Sequence, residues 1–185
     1  MLNLENSVII MVTGFYFVII NNKKMIVKDY MCDWVNTISG DKTLPEVVKQ
    51  MVEKKTNTIV VVDKDNKPLG LISSRTLIKQ VVPNYLKGDP TTSMFGAEGT
   101  FDRYADKVRS LKAEDFMDTN FHCLSEDDAM IEAASYSLQE NQRFLPVVNE
   151  EGDLVGAITR TCIKNALHNV FHKDSQVNPK DNGVK

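Results

Sequence analysis

Two short runs in this sequence are built to meet an anion. Gly70-Leu71-Ile72-Ser73 and Gly156-Ala157-Ile158-Thr159 each end in a hydroxyl residue where a strand pattern gives way to a helix pattern, and Arg75 and Arg160 stand in the first turn that follows. The first N–H groups of a helix have no partner inside it and lie at the positive end of its dipole. A hydroxyl and a guanidinium placed there suit a phosphate. Other reactive residues are scattered. His168 and His172 are four apart, which puts both imidazoles on one helix face, but no third ligand is near in sequence and a solvated helix end accounts for them. The acidic run Glu126-Asp127-Asp128 reads as helix capping rather than a cation site. Cys32, Cys123 and Cys162 are odd in number and lack metal-type spacing, so they read as free thiols in a reducing compartment, the cytoplasm. No nucleophile elbow, P-loop or paired-cysteine motif occurs, and the expectation is a binding module and not an enzyme.

What positions the two hydroxyls is an internal repeat. Shifted by 86 residues, the sequence matches itself without a gap: Asp29-Tyr30-Met31 falls on Asp115-Phe116-Met117, Val61-Val62 on Val147-Val148, Gly70 and Ile72 on Gly156 and Ile158. Each copy reads as strand, helix, strand, turn, strand, helix. The first strand is expected over Val35 to Ile38. Ser39 with Asp41, and Ser125 with Asp127 and Asp128, are placed to cap the helix that follows. Those helices carry Leu44, Val47, Val48, Met51 and Val52 in one copy and Met130, Ala133, Ala134, Ser137 and Leu138 in the other, a core-facing stripe. The apolar runs Thr58 to Val62 and Phe144 to Val148 predict buried strands, and Leu69 to Ser73 and Leu154 to Thr159 their hairpin partners. The last helices are expected over Ser74 to Val82 and Arg160 to Phe171, and a short linker helix over Phe101 to Leu111.

The bulk numbers agree with a small globular protein. A chain of 185 residues with 42% hydrophobic and 25% charged residues buries enough surface for one domain or for two halves sharing a core. A net charge of -3 offers no global field for nucleic acid, so any anionic ligand must be held locally. The uncharged run Val8 to Ile20 is too short to span a bilayer, which needs about 20 apolar residues. Its β-branched and aromatic content suggests a strand or loosely attached extension, with a membrane-associated segment, or a working protein that starts at Met25, as the alternatives. The organisation reads as an apolar extension over 1–24, a first repeat over 25–83, a linker over 84–110, a second repeat over 111–171 and a polar, disordered tail over 172–185.

The paired runs, the Asp-Met-type lead-ins, the Leu145-Pro146-Val147-Val148 strand and the Val82-Pro83-Asn84-Tyr85-Leu86 linker resemble the cystathionine-β-synthase (CBS) domain family, from about Met25 to Phe171. The resemblance implies an α+β (mixed α/β) fold of two βαββα repeats related by a pseudo-two-fold axis, with two clefts between them, and a homodimer. It implies a regulatory role in which AMP, ADP, ATP or S-adenosylmethionine binds and an unknown protein responds, with no required cofactor, no nucleic acid and no membrane. Ser73, Arg75, Thr159 and Arg160 fall on the family's phosphate-binding turn. Where the family places a ribose-binding Asp, this chain has Thr76 and Cys162, neither of which is a carboxylate able to accept from two hydroxyls. With clefts between repeats, Thr37 would serve the Cys162 side, His122 and Cys123 the Thr76 side, and Arg143 a frequently basic position. A pair whose clefts are vestigial, acting by dimerisation or scaffolding, and a membrane-associated accessory subunit are the alternatives.

Overall fold

In each copy the apolar runs pair into a small mixed sheet, and the lead-in that should complete the sheet's cover crosses to the other copy. The computed structural model describes residues 8–12, 15–19, 24–84, 99–139, 143–178 and 180. The first two strands, β1 (Val8–Val12) and β2 (Phe15–Ile19), form an antiparallel pair with Val8 opposite Ile19. The expected single strand in this region is thus a hairpin, as its β-rich composition favours.

Copy one contains β3 (Thr37–Ser39), α1 (Leu44–Glu53), β4 (Thr58–Val62), β5 (Pro68–Ser73) and α2 (Ser74–Val81). Two helices follow, α3 (Thr100–Lys107) and the one-turn α4 (Ala113–Phe116). Copy two repeats the pattern with β6 (Leu124–Ser125), α5 (Met130–Ser137), β7 (Phe144–Val148), β8 (Leu154–Thr159) and α6 (Arg160–Phe171). The sheets run β3-β4-β5 and β6-β7-β8, the first pair of each parallel and the second antiparallel. The central strands β4 and β7 are buried at their middle residues, which is why they read as unbroken apolar runs.

Each repeat lends its lead-in to the other. Residues 25–32 lie on copy two: Val27 N–H donates to Asp128 C=O and Lys28 N–H to Glu126 C=O, both at 2.9 Å. Met130 N–H donates to Met25 C=O at 2.9 Å, supplying a partner for the first donor of α5. Residues 111–118 do the same on copy one, 86 positions on. Ala113 N–H donates to Lys42 C=O (2.7 Å), Glu114 N–H to Gly40 C=O (3.0 Å), and Leu44 N–H to Leu111 C=O (2.8 Å). Two reciprocal bridges end the exchange, Cys32 with Ala157 and Asp118 with Leu71. The cores follow the exchange: Val27, Met31 and Cys32 are buried with Leu124, Leu145, Val147 and Ile158, while Ala113 and Phe116 are buried with Ile38, Val47, Ile59 and Ile72. Each fully buried aliphatic side chain contributes ~1.5–3 kcal/mol, so withdrawing one lead-in uncovers several such contributions at once.

The conserved glycine of each internal copy is explained by this crossing. A Cβ at Gly156 would stand 2.8 Å from Cys32 O and 2.9 Å from Met31 Sδ, and one at Gly70 would stand 2.6 Å from Met117 Sδ. Met31 and Met117 are the last residues of the Asp-Met-type lead-ins.

Several expectations shift. The cap of α1 is Thr43, not Ser39: Glu46 accepts from the Thr43 N–H and hydroxyl, both at 2.8 Å, while Asp41 takes the Ser39 hydroxyl in the preceding turn. In copy two the cap position is Ala129, and Asp128 accepts from Ser125 N–H at 2.7 Å. Of the expected stripe, Leu44, Val47 and Met51 are buried, whereas Val52 is 70% and Leu138 84% exposed. The linker helix begins at Thr100 and stops at Lys107, and most of the linker, 85–98, lies outside the described residues. The tail is not featureless as far as it is described: Asn169 exchanges two 2.8 Å hydrogen bonds with Val177, and Lys180 pairs with Asp33 at 2.8 Å. Residues 181–185 lie outside the described residues.

Gly156→Ala is expected to destabilise the protein by about 1–3 kcal/mol, because a backbone oxygen cannot yield. Gly70→Ala should cost less, because the flexible Met117 side chain can move aside. Urea unfolding of both variants checks the order.

Candidate ligand cleft

The two hydroxyl corners meet. Ser73 ends β5 and caps α2, accepting from Thr76 N–H at 3.2 Å; Thr159 ends β8 and caps α6, accepting from Cys162 N–H at 3.4 Å. Both corners open into one cleft of about 850 Å³. Its walls repeat the internal symmetry: Val35 and Phe121, Thr58 and Phe144, Ser73 and Thr159, and Asn57 and Arg143 are each 86 residues apart and all line it. Two separate clefts are the expectation, whereas among the described residues both corners open into one continuous cleft.

Ser73, Arg75, Thr76, Arg143, Thr159 and Arg160 line this cleft together. Arg160 is oriented by a 3.0 Å hydrogen bond from Nη2 to Ser137 C=O. Four expected residues do not line it. Thr37 opens β3, and its carbonyl accepts from Gln50 Nε2 at 2.8 Å. His122 stacks on the Tyr136 ring at 3.8 Å, and Cys123 is half-buried beside it in sequence. Cys162 is fully buried in the core of copy two with Cys32. β3 begins two residues later than expected, at Thr37, and the cleft is walled by Trp34, Val35 and Asn36 ahead of it and by Asn120 and Phe121 in the other copy.

The hydroxyls are engaged within the protein. Ser73 N–H donates to Thr76 Oγ1 at 3.3 Å and the two hydroxyls lie 2.9 Å apart, while Thr159 N–H donates to Cys162 Sγ at 3.4 Å and its hydroxyl lies 3.2 Å from that sulfur. Both corners are therefore reciprocal capping boxes. Thr76 and Cys162 occupy the position of the carboxylate implied by the resemblance, and here that position serves the helix start.

All three cysteines are free thiols. The Cys32 thiol is pushed up, first by hydrogen bonding with Cys162 and then by burial, and donates to Ala157 C=O at 3.1 Å. Hydrogen bonds from Cys32 and from Thr159 hold the Cys162 sulfur down against its burial. Burial pushes the Cys123 thiol up.

The sequence reading missed Trp34, Lys55, Lys79, Asp118 and Phe121, which also line the cleft. Trp34 had a signal: it is the only tryptophan of the chain, it sits just ahead of the first strand, and it is 45% exposed. Lys79 lies three residues after Thr76 and four after Arg75, on the same side of α2.

The model of the CBS domain family matches the chain twice, over residues 27–83 and 113–169. The chain belongs to the CBS domain family. It is 29% identical over 148 residues to a CBS domain-containing protein of Dictyostelium discoideum, covering 80% of this chain and 94% of that one. Among solved structures, the CBS-pair protein CBSX2 from Arabidopsis thaliana superposes with a TM-score of 0.67 at 19% identity, covering 81% of this chain and 99% of that one. The CBS domain pair of protein MJ0100, solved in complex with 5′-methylthioadenosine and S-adenosyl-L-methionine, superposes with a TM-score of 0.56 at 19% identity, over 82% and 98% of the two chains. The expected α+β fold of two repeats is thus that of CBS pairs. No helix among the described residues is long and apolar enough to cross a membrane.

In the folded protein a thiol reagent should modify Cys123 alone, with a rate that climbs as pH rises beyond the ordinary thiol range, because a raised pKa leaves less thiolate at neutrality. Cys32 and Cys162, 2% and 0% exposed, should react only on unfolding; mass spectrometry before and after denaturation counts them.

Proposed function

We propose that this CBS pair is a regulatory module whose cleft binds an adenine nucleotide or a related adenosyl ligand. The observation that carries the reading is the convergence of the two helix starts at Ser73 and Thr159 on one cleft that also presents the exposed Trp34. An indole of this kind offers a planar face to a base, and base–aromatic stacking contributes ~1–3 kcal/mol. CBSX2 has been solved in complex with AMP, and that structure superposes on this chain with a TM-score of 0.61 at 19% identity, covering 80% of this chain and 98% of that one. Because the walls come from both repeats, occupancy would favour whichever relative setting of the repeats closes on the ligand, and a partner protein would read that setting. The three free thiols favour a reducing, cytoplasmic setting.

A second copy of the chain is the partner that the surface favours most. Val52, Ile78, Ile131, Leu138 and Phe171 are between 61% and 84% exposed on α1, α2, α5 and α6. That surface also supports the alternative, a pair that works by dimerisation or scaffolding with an unused cleft.

Titration with AMP and ATP, followed by Trp34 fluorescence and by calorimetry, is expected to give a saturable change, and Trp34→Leu to weaken binding by about fivefold to a hundredfold. Neither heat nor quenching at millimolar nucleotide, with a dimer seen by sedimentation, would leave the scaffolding alternative standing instead.

A further inference from the structure

We infer that this cleft selects its ligand by phosphate charge and is indifferent to the ribose hydroxyls, so that it takes nucleoside polyphosphates and rejects adenosyl ligands without phosphate. The inference rests on the cleft proposed above as the nucleotide site and adds what that site discriminates.

The charge is concentrated against the trend of the chain. A protein of net charge -3 lines this one cleft with Lys55, Arg75, Lys79, Arg143 and Arg160, against a single carboxylate, Asp118. Lys55, Lys79 and Arg143 enter no ion pair among the described residues. Asp118 is drawn into its own turn, accepting from Asn120 N–H at 3.0 Å. Cations gathered in a cleft between low-dielectric walls raise the local concentration of anions.

The cations are also not an inherited accident of the repeat. At the positions 86 residues apart, Asn57 stands opposite Arg143, Ser74 opposite Arg160, Thr161 opposite Arg75 and Asn165 opposite Lys79. The two residues of each pair differ, yet each corner carries two positive side chains, Arg75 and Lys79 at one and Arg143 and Arg160 at the other. Positive charge stands at both ends of the cleft although different repeat positions supply it. An extended polyanion lying between the corners meets both sets.

A carboxylate acceptor is missing from both helix starts, and the one carboxylate lining the cleft among the described residues, Asp118, stands on the lead-in wall with one oxygen held by Asn120 N–H. Discrimination of a vicinal diol needs an acceptor able to take two O–H donors, which a carboxylate does well. At Thr76 the hydroxyl is occupied by Ser73, and at Cys162 the side chain is buried in the core and does not line the cleft. Nothing at either helix start penalises a missing 2′-hydroxyl.

Calorimetry on the full chain with ATP, dATP, inorganic tripolyphosphate, adenosine and S-adenosylmethionine tests this. ATP and dATP should bind within about threefold of each other, tripolyphosphate should compete with ATP, and adenosine and S-adenosylmethionine should bind at least about tenfold more weakly than ATP. Lys79→Gln and Arg143→Gln, checked for unchanged melting, should each weaken ATP about tenfold and leave adenosine as it was, as expected for lost charge-assisted contacts. Thr76→Asp keeps a residue suited to the capping box and adds the missing acceptor, so it should create a preference for ATP over dATP. A dATP affinity tenfold or more below that of ATP in the unmodified chain, or adenosine binding as tightly as ATP, overturns the inference while leaving the adenosine reading in place. Binding of tripolyphosphate with no gain from an attached nucleoside does the reverse: it sinks the adenosine reading and keeps the phosphate one. Silence from all five ligands sinks both.

Discussion

The reciprocal loan of lead-in segments is the constraint on which this structure rests. Residues 25–32 complete copy two and residues 111–118 complete copy one, through hydrogen bonds that repeat at a spacing of 86 residues and through buried side chains that finish each core. A sheet of three short strands covered by two helices buries little apolar surface at this size and is marginal on its own. The loan doubles the size of the cooperative unit without adding residues. It also makes the pseudo-two-fold relation an energetic one, because loosening either lead-in exposes the first-turn donor of the other copy's helix, Leu44 or Met130.

The same crossing decides where a ligand can be reached. Cys32 and Asp118 bridge to Ala157 and Leu71 of the opposite hairpins, and the residues that follow them, Trp34 to Asn36 and Asn120 to Phe121, become the walls of the cleft. Gly70 and Gly156 permit the approach, and the hydroxyl corners lie three residues further on. Fold and site thus share their determinants. The glycine of each Gly-x-x-Ser/Thr run serves the neighbouring repeat's lead-in, while the hydroxyl serves the helix start.

Much of this was legible in the sequence because it is local or periodic. The strands Thr58–Val62, Phe144–Val148 and Leu154–Thr159 and the helix Arg160–Phe171 match their expected limits, since unbroken apolar runs and turn residues bound them sharply. Ser73, Thr159 and the nearby arginines could be placed together at helix starts, where they line the cleft, because a strand-to-helix junction is a local event. The loan was not legible, because the Asp-Met-type runs carry no mark of which copy they will cover. Thr37, His122 and Cys123 are expected at the cleft if the first strands wall it, whereas residues 34–36 and 120–121 form that wall. The caps were misread for a related reason: Ser39 and Thr43 are both good N-cap residues, and only the turn held by Asp41 makes Thr43 the start.

The capping boxes at Ser73 and Thr159 carry a further consequence. A side chain at the third helical position can reach back to its cap or outward to a ligand, and the residue type sets the balance. A carboxylate has lone pairs enough to do both, as Glu46 does when one oxygen accepts from the Thr43 N–H and hydroxyl and the other from Lys42 Nζ at 3.3 Å. Threonine has one oxygen, which at Thr76 lies against Ser73, and the cysteine sulfur at Cys162 is a weak acceptor already shared with Thr159 and Cys32. Thr76 and Cys162 thus keep the helix start closed without offering a carboxylate to the cleft. The closing of the helix start and the chemistry offered to the cleft therefore meet at a single side chain in each repeat.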